Sequence, residues 1–149
     1  MTVREIDDLF YVCALIEFVG RVTKNTNADI VRILGTEGIA LNLEFADVNH
    51  CLSFEEVGDE LIEDYSITSG NFDSVGQSEF VVPCYTAIGS VYRDLILDLK
   101  KDSGKELVDL MIEVFTSFIS EEISDFNSSL FYENPSYIYH SYLAGELLA

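Results

Sequence analysis

The chain reads as an all-α protein, a compact bundle of six or seven helices with no sheet. Three observations support this. Apolar residues recur at spacings of three and four through most segments. Ser, Thr or Asn followed by an acid three residues later, or by Pro, punctuates the segments as helix starts do. No run of alternating β-branched residues bounded by turns marks a strand. At 149 residues the expectation is one domain, 1–149. It comprises an N-terminal helical half (4–65), a loop (66–79) and a C-terminal helical half (80–148).

The first helix is expected over 4–22, where Ile6, Leu9, Phe10, Cys13, Ile16 and Val19 share a face. Thr26-x-x-Asp29 opens a short helix carrying Ile30, Ile33 and Leu34, and Gly35 stops it. Beyond Gly38 a third segment places Ile39, Leu43 and Ala46 on one side. Ser53-Phe54-Glu55-Glu56 is a capping box, with Leu52 and Val57 spaced as a hydrophobic staple. This helix should reach Tyr65. Residues 66–79 lose the pattern to Ser, Gly, Asn and Asp, with Phe72 positioned to pin the loop to the body.

Pro83 suits a first helical turn, followed by a stripe of Cys84, Ile88, Val91, Leu95 and Leu99. Ser103-x-x-Glu106 is a second capping box. It introduces a helix over 104–126 whose wide apolar face makes it the expected central element. Asn134-Pro135 begins the last helix, which should end near Leu148.

Charge narrows the function. There are 27 acidic against 8 basic residues, a net charge of −19, yet 48% of the chain is hydrophobic. Disordered chains are charged and poor in apolar residues, so the carboxylates belong to a folded surface. Residues 33–92 hold eleven acids and no Lys or Arg, and 106–149 hold eight acids and none. Such a surface repels nucleic acid and anionic membranes. No apolar stretch approaches the ~20 residues of a membrane span. Three widely spaced cysteines, Cys13, Cys51 and Cys84, form no disulfide framework. With no basic region leading into a signal core, they point to the cytoplasm.

The candidate chemistry is sparse. Asp47-x-x-His50 would put two ligands on one helix face, but a carboxylate-bridged di-metal bundle needs a second such pair, and His140 has Tyr137 at that spacing. Adjacent His50 and Cys51 diverge by ~100° on a helix and make no dyad. Cys13 and Cys84 fall in apolar stripes, as small core residues do. No phosphate loop, catalytic constellation or cofactor signature is present. Glu55, Glu56, Asp59, Glu60, Glu63 and Asp64 cover the polar face of one helix, either as a solvated face or as a dock for a basic partner. Tyr132, Tyr137, Tyr139 and Tyr142 crowd the last eighteen residues, as an interface or as a lid over the core.

The stretches Leu9-Phe-Tyr-Val-Cys-Ala-Leu-Ile-Glu, Ala46-Asp-Val-Asn-His-Cys and Tyr132-Glu-Asn-Pro-Ser-Tyr-Ile-Tyr resemble a family of small uncharacterised bacterial all-helical proteins, over most of the chain. Residues 5–65 are loosely similar to a short helical domain of unknown function associated with genes for ADP-ribosyltransferase-like toxins. A Leu-His pair closes the third helix of that domain, where this chain has Asn49-His50, one residue out of register. The resemblance implies an all-helical cytoplasmic accessory or neutralising partner and brings no catalytic residues.

Two readings of function follow. The first is a non-catalytic protein-binding or regulatory, antitoxin-like module, using Glu55, Glu56, Asp59, Glu60, Glu63, Tyr137, Tyr139 and Tyr142 against a basic protein. The alternative is a metal-binding or hydrolytic bundle centred on Asp47, His50 and nearby acids. A homodimer through Tyr137 and Tyr142 is compatible with the apolar composition.

Overall fold

Eight α-helices and one 3-10 turn form the chain in a computed structural model that describes all 149 residues. They are α1 (Val3–Thr23), α2 (Asn27–Glu44), α3 (Ala46–Asn49), α4 (Phe54–Asp64), α5 (Tyr85–Ser103), α6 (Leu107–Phe115), α7 (Phe118–Ser124) and α8 (Pro135–Ala144), with the 3-10 turn at Leu130–Tyr132 between α7 and α8. No strand forms, and no helix is long and apolar enough to cross a membrane.

The centre of the bundle is α1, not the 104–126 segment. Thr2 starts it with a reciprocal cap: its hydroxyl accepts the Glu5 N–H at 3.1 Å, and the Glu5 carboxylate accepts the Thr2 N–H at 3.0 Å. From Tyr11 to Glu17 every residue is buried, so the helix is enclosed on all sides rather than along one stripe. Its main neighbour is α5, and α2, α3 and α4 pack around it. At the α1–α5 crossing a Cβ on Gly89 would lie 2.9 Å from both Cβ and N of Ala14, so only glycine lets the backbones meet there. One contiguous core joins Leu9, Ile16, Ile30 and Ile39 to Ile88, Ile96, Met111 and Ile119.

The segment expected as one helix over 104–126 is α6 and α7. Thr116 and Ser117 divide them by turning their hydroxyls onto backbone carbonyls, Thr116 to Ile112 at 2.6 Å and Ser117 to Val114 at 2.7 Å. Short hydroxyl side chains that bond back in this way compete with helix propagation, and Ser117 takes an extended conformation. This division and the single turn α3 add two helices to the seven expected segments, and the second and third of those segments run together as α2, which leaves eight. Gly35 breaks the second helix as expected, at φ +66° and ψ −177°, although the ladder resumes directly after it.

Four boundaries differ from expectation. Gly104 adopts the left-handed conformation at φ +67° and caps α5, so Ser103 ends a helix instead of starting one. Glu106 is the N-cap of α6 without a side-chain hydrogen bond. Cys84, not Pro83, precedes the first turn of α5, leaving Pro83 outside the helix with its carbonyl accepting Arg21 Nη2 at 2.8 Å. Gly145 at φ +78° stops α8 short of Leu148. The chain after it folds back, and the Leu148 carbonyl accepts the Tyr137 hydroxyl at 2.6 Å.

The 66–79 loop is tied down at both ends. Gly70 and Phe72 N–H groups donate to the carbonyls of Thr23 and Lys24, both at 2.8 Å. Asn127 accepts the Glu79 N–H and donates to the Gln77 carbonyl. Phe72 is half-buried.

Candidate functional site

Helix α4 is short and strongly sided. Ser53 caps it by accepting the Glu56 N–H at 3.1 Å. Val57, Gly58 and Leu61 are buried, and Phe54 enters a cluster with Tyr11, Phe18 and Tyr85 at centroid distances of 4.9 to 6.0 Å. Aromatic pairs of this kind contribute about 0.5–1.5 kcal/mol beyond their burial. This clamp fixes the helix on α1, so Glu55, Glu56, Asp59, Glu60, Glu63 and Asp64 all face outward and exposed. None of the six takes part in an ion pair.

The C-terminal tyrosines behave differently. Tyr137, Tyr139 and Tyr142 are half-buried on α8, which packs on α5, whereas α4 packs on α1. Tyr137 holds the chain end, and Tyr139 donates its hydroxyl to Asp102 at the end of α5. Burial raises the Tyr142 phenol above its ordinary value; Glu113 adds to the rise and Lys105 opposes it. These three side chains are engaged as a lid on the bundle, on a different helix from the acidic face. Tyr132 is 71% exposed, its ring edge-on to Phe131 at 4.9 Å.

Asp47 and His50 lie on and just after α3, but they do not cooperate. The Asp47 carboxylate is taken by Arg4, and His50 Nδ1–H donates to the Asp47 carbonyl at 2.6 Å. No three His, Cys, Asp or Glu side chains are grouped as metal ligands, and the α4 acids do not converge on Asp47. Both residues line a cleft of about 710 Å³ with Tyr11 and Phe54.

Of the cysteines, Cys13 is fully buried, and desolvation pushes its thiol far up against a weaker opposing pull from Arg93. Cys51 is exposed. Cys84 is exposed too, contrary to its expected place in the α5 stripe, because the helix begins one residue after it. Its thiol is lowered first by the Thr86 hydroxyl, which donates to Sγ at 3.2 Å.

A buried polar network, invisible in the sequence reading, lies across the α1–α5 pair. Glu17, 2% exposed, accepts Arg21 Nε at 2.7 Å and Asn27 Nδ2 at 2.8 Å. Tyr92, fully buried, shares a 2.8 Å hydrogen bond with the Ser120 hydroxyl, and Asn27 reaches its oxygen at 3.4 Å. Burial drives the Tyr92 phenol well up, Ser120 opposes the rise and the Glu17 charge adds to it. Arg21 also lies over the Phe126 ring, 5.1 Å from its centroid. Every charged group here has its partner. Asn27 and Ser120 also line a polar cavity of about 520 Å³ with Arg32 and Glu121 at its edge.

Comparisons with protein-family models, with curated proteins and with solved structures found no match to the chain.

Proposed function

We propose that the protein is a binding module, regulatory or antitoxin-like and not itself a catalyst, whose α4 face docks a basic protein. One observation carries the reading: six exposed carboxylates on an eleven-residue helix, none with a cation. Glu55–Asp59, Glu56–Glu60, Asp59–Glu63 and Glu60–Asp64 are like-charge pairs at i,i+4, each destabilising by about 0.2–0.5 kcal/mol. Glu63 and Asp64 further oppose the negative end of the helix dipole. Surface carboxylates serve solubility at any spacing, so solubility alone does not account for like charges stacked at i,i+4 on one short helix. A basic partner removes the repulsion on docking, and the field it meets speeds its approach.

The basic side chains support the same reading. Arg4, Arg21, Lys24, Arg32, Arg93 and Lys105 are in ion pairs with this chain's own acids, which leaves no stripe of free cations for a phosphate backbone. The test is affinity capture from lysate at about 50 mM and about 500 mM salt. It uses the native chain and a variant carrying Asp59→Asn, Glu60→Gln and Glu63→Gln. The expected result is a basic protein retained at low salt, released at high salt and not retained by the variant. Retention indifferent to both changes removes the proposal.

A further inference from the structure

Beside the acidic face of α4 runs an apolar stripe that the fold leaves uncovered. Leu41 near the end of α2, Phe45 at the α2–α3 corner and Val48 in α3 are 48%, 46% and 63% exposed. Backbone hydrogen bonds step from Phe45 to Leu41 and from Val48 to Phe45, so the three follow one another a turn apart. Single exposed apolar side chains are ordinary, but three at helical spacing make a continuous surface. Leu41 and Phe45 line one side of an open groove of about 200 Å³, Glu60 and Asp64 line the other, and the buried Val57 and Leu61 lie at its base.

Two properties of this groove say what fits it. Its volume is below the ~300 Å³ at which small-ligand pockets begin, so it takes a side chain whose owner stays outside. Its charge has one sign. Glu60 and Asp64 stand one turn apart, neither is in an ion pair, and no Lys or Arg lines the groove. The complement is a surface with apolar side chains one turn apart and cations one turn apart beside them, which is an amphipathic basic helix. A second copy of this chain does not meet that description. Its net charge is −19, and it brings no Lys or Arg anywhere between 33 and 92, so like faces repel.

We propose that the groove receives the apolar stripe of a basic amphipathic helix of the partner protein, with one large apolar side chain seated over Val57 and Leu61 and flanking Lys or Arg side chains on Glu60 and Asp64. The inference rests on the docking reading above and adds to it an apolar anchor. The acids steer the approach and exclude wrong partners, while desolvation of Leu41 and Phe45 against the incoming helix supplies affinity.

The probes are two synthetic peptides of about eighteen residues, five turns of helix, with the same content of Leu and Lys. One places Leu at i, i+3, i+4 and i+7; the other scrambles the same residues so that no apolar stripe forms. Calorimetric titration of the full chain at about 0.15 M salt should find the striped peptide roughly tenfold tighter. Leu41→Gln, at an exposed helical position, should remove that preference and leave the affinity for the scrambled peptide unchanged. Amide shifts of the native chain with the striped peptide should centre on Leu41, Phe45 and Leu61, which reads the site without any variant. Equal affinity for the two peptides, or shifts centred elsewhere, overturns the groove but not the acidic face, which then binds both until Asp59→Asn, Glu60→Gln and Glu63→Gln weaken them together. Binding of neither peptide overturns groove and face alike. Light scattering covers the remaining occupant: a native dimer at ~0.1 mM that Leu41→Gln converts to a monomer would put a second copy in the groove and overturn the proposal.

Discussion

Glutamate appears in this molecule in two opposite settings, and the contrast between them separates what holds the fold from what the fold presents. Glu17 on α1 is 2% exposed and has a partner on each oxygen, Arg21 on one and Asn27 on the other. Glu55, Glu56, Glu60 and Glu63 on α4 are exposed and have no cation at all. A buried charge without partners would be excluded by its desolvation cost, so Glu17 exists only because its network does. An exposed carboxylate has no such constraint, so its repetition on one face needs another reason. The first region is intolerant of single changes, and the second tolerates them structurally.

The largest effect is expected from separating the buried pair. Arg21→Met leaves the Glu17 carboxylate enclosed with Asn27 alone, and it also removes the hydrogen bond to the Pro83 carbonyl and the cation over Phe126. Breaking a buried pair from one side costs about 3–5 kcal/mol. Urea unfolding at neutral pH measures this. Adding Glu17→Leu removes the orphaned charge and should restore most of the loss. If Arg21→Met loses no more than an exposed substitution does, Glu17 is hydrated and the contrast between the regions collapses.

The two buried tyrosines sharpen the same contrast at a smaller scale. Tyr92 has the Ser120 hydroxyl at 2.8 Å, whereas the Tyr11 hydroxyl has nothing. Tyr92→Phe strands a buried serine and should cost about 1–1.5 kcal/mol at neutral pH; Tyr11→Phe should be neutral or slightly stabilising. Alkaline pH adds a signature. Burial raises the Tyr11 phenol from 10.0 to about 12, so the native state keeps a proton that the unfolded chain releases. Its contribution is fully present below about pH 10 and is lost as pH rises from there through about 12. Tyr11→Phe should therefore flatten the fall of stability with pH in that window, as followed by unfolding at stepped pH. An unchanged slope would mean that Tyr11 titrates freely.

How legible these regions were in the sequence follows from the range of the forces that build them. The acidic face of α4 was readable because helical periodicity and the Ser53 cap are local, and both act within a few residues. The break at Gly35 was readable for the same reason. Division of the 104–126 segment was carried by Thr116-Ser117, a local signal outweighed in the reading by the apolar stripe that runs through both halves. The central place of α1 was written in the unbroken run Tyr11-Val-Cys-Ala-Leu-Ile16, too apolar for an amphipathic stripe. Glu17 and Arg21, four apart, look like any surface helix pair. What makes them buried is Asn27, Tyr92 and Ser120, which only the tertiary fold brings together. The Arg4–Asp47 pair is similarly distant in the chain, and so the cleft it spans could not be foreseen from Asp47 and His50 alone.

The smallest expected effect has the more telling sign. Asp59→Asn, Glu60→Gln and Glu63→Gln together remove all four i,i+4 repulsions on α4 while leaving Glu55 and Glu56 in the first turn, where the helix dipole favours them. Nothing else contacts these three carboxylates through an ion pair or hydrogen bond, and the buried face of Val57, Gly58 and Leu61 is untouched. Stability should therefore rise, by about 1 kcal/mol at low salt, near the low end of the four pair terms together, in the direction opposite to any disruption of the network. Screening weakens exposed charge interactions, so the gain should shrink toward zero by about 1 M salt, where the Debye length is only ~3 Å. Thermal unfolding of the two proteins across a salt series reads both features. A gain in stability accompanied by loss of the basic partner marks a face whose charge is retained against the interest of the fold. A loss of stability at low salt would instead show the α4 carboxylates supporting the helix, and would place them with Glu17 on the structural side of the comparison.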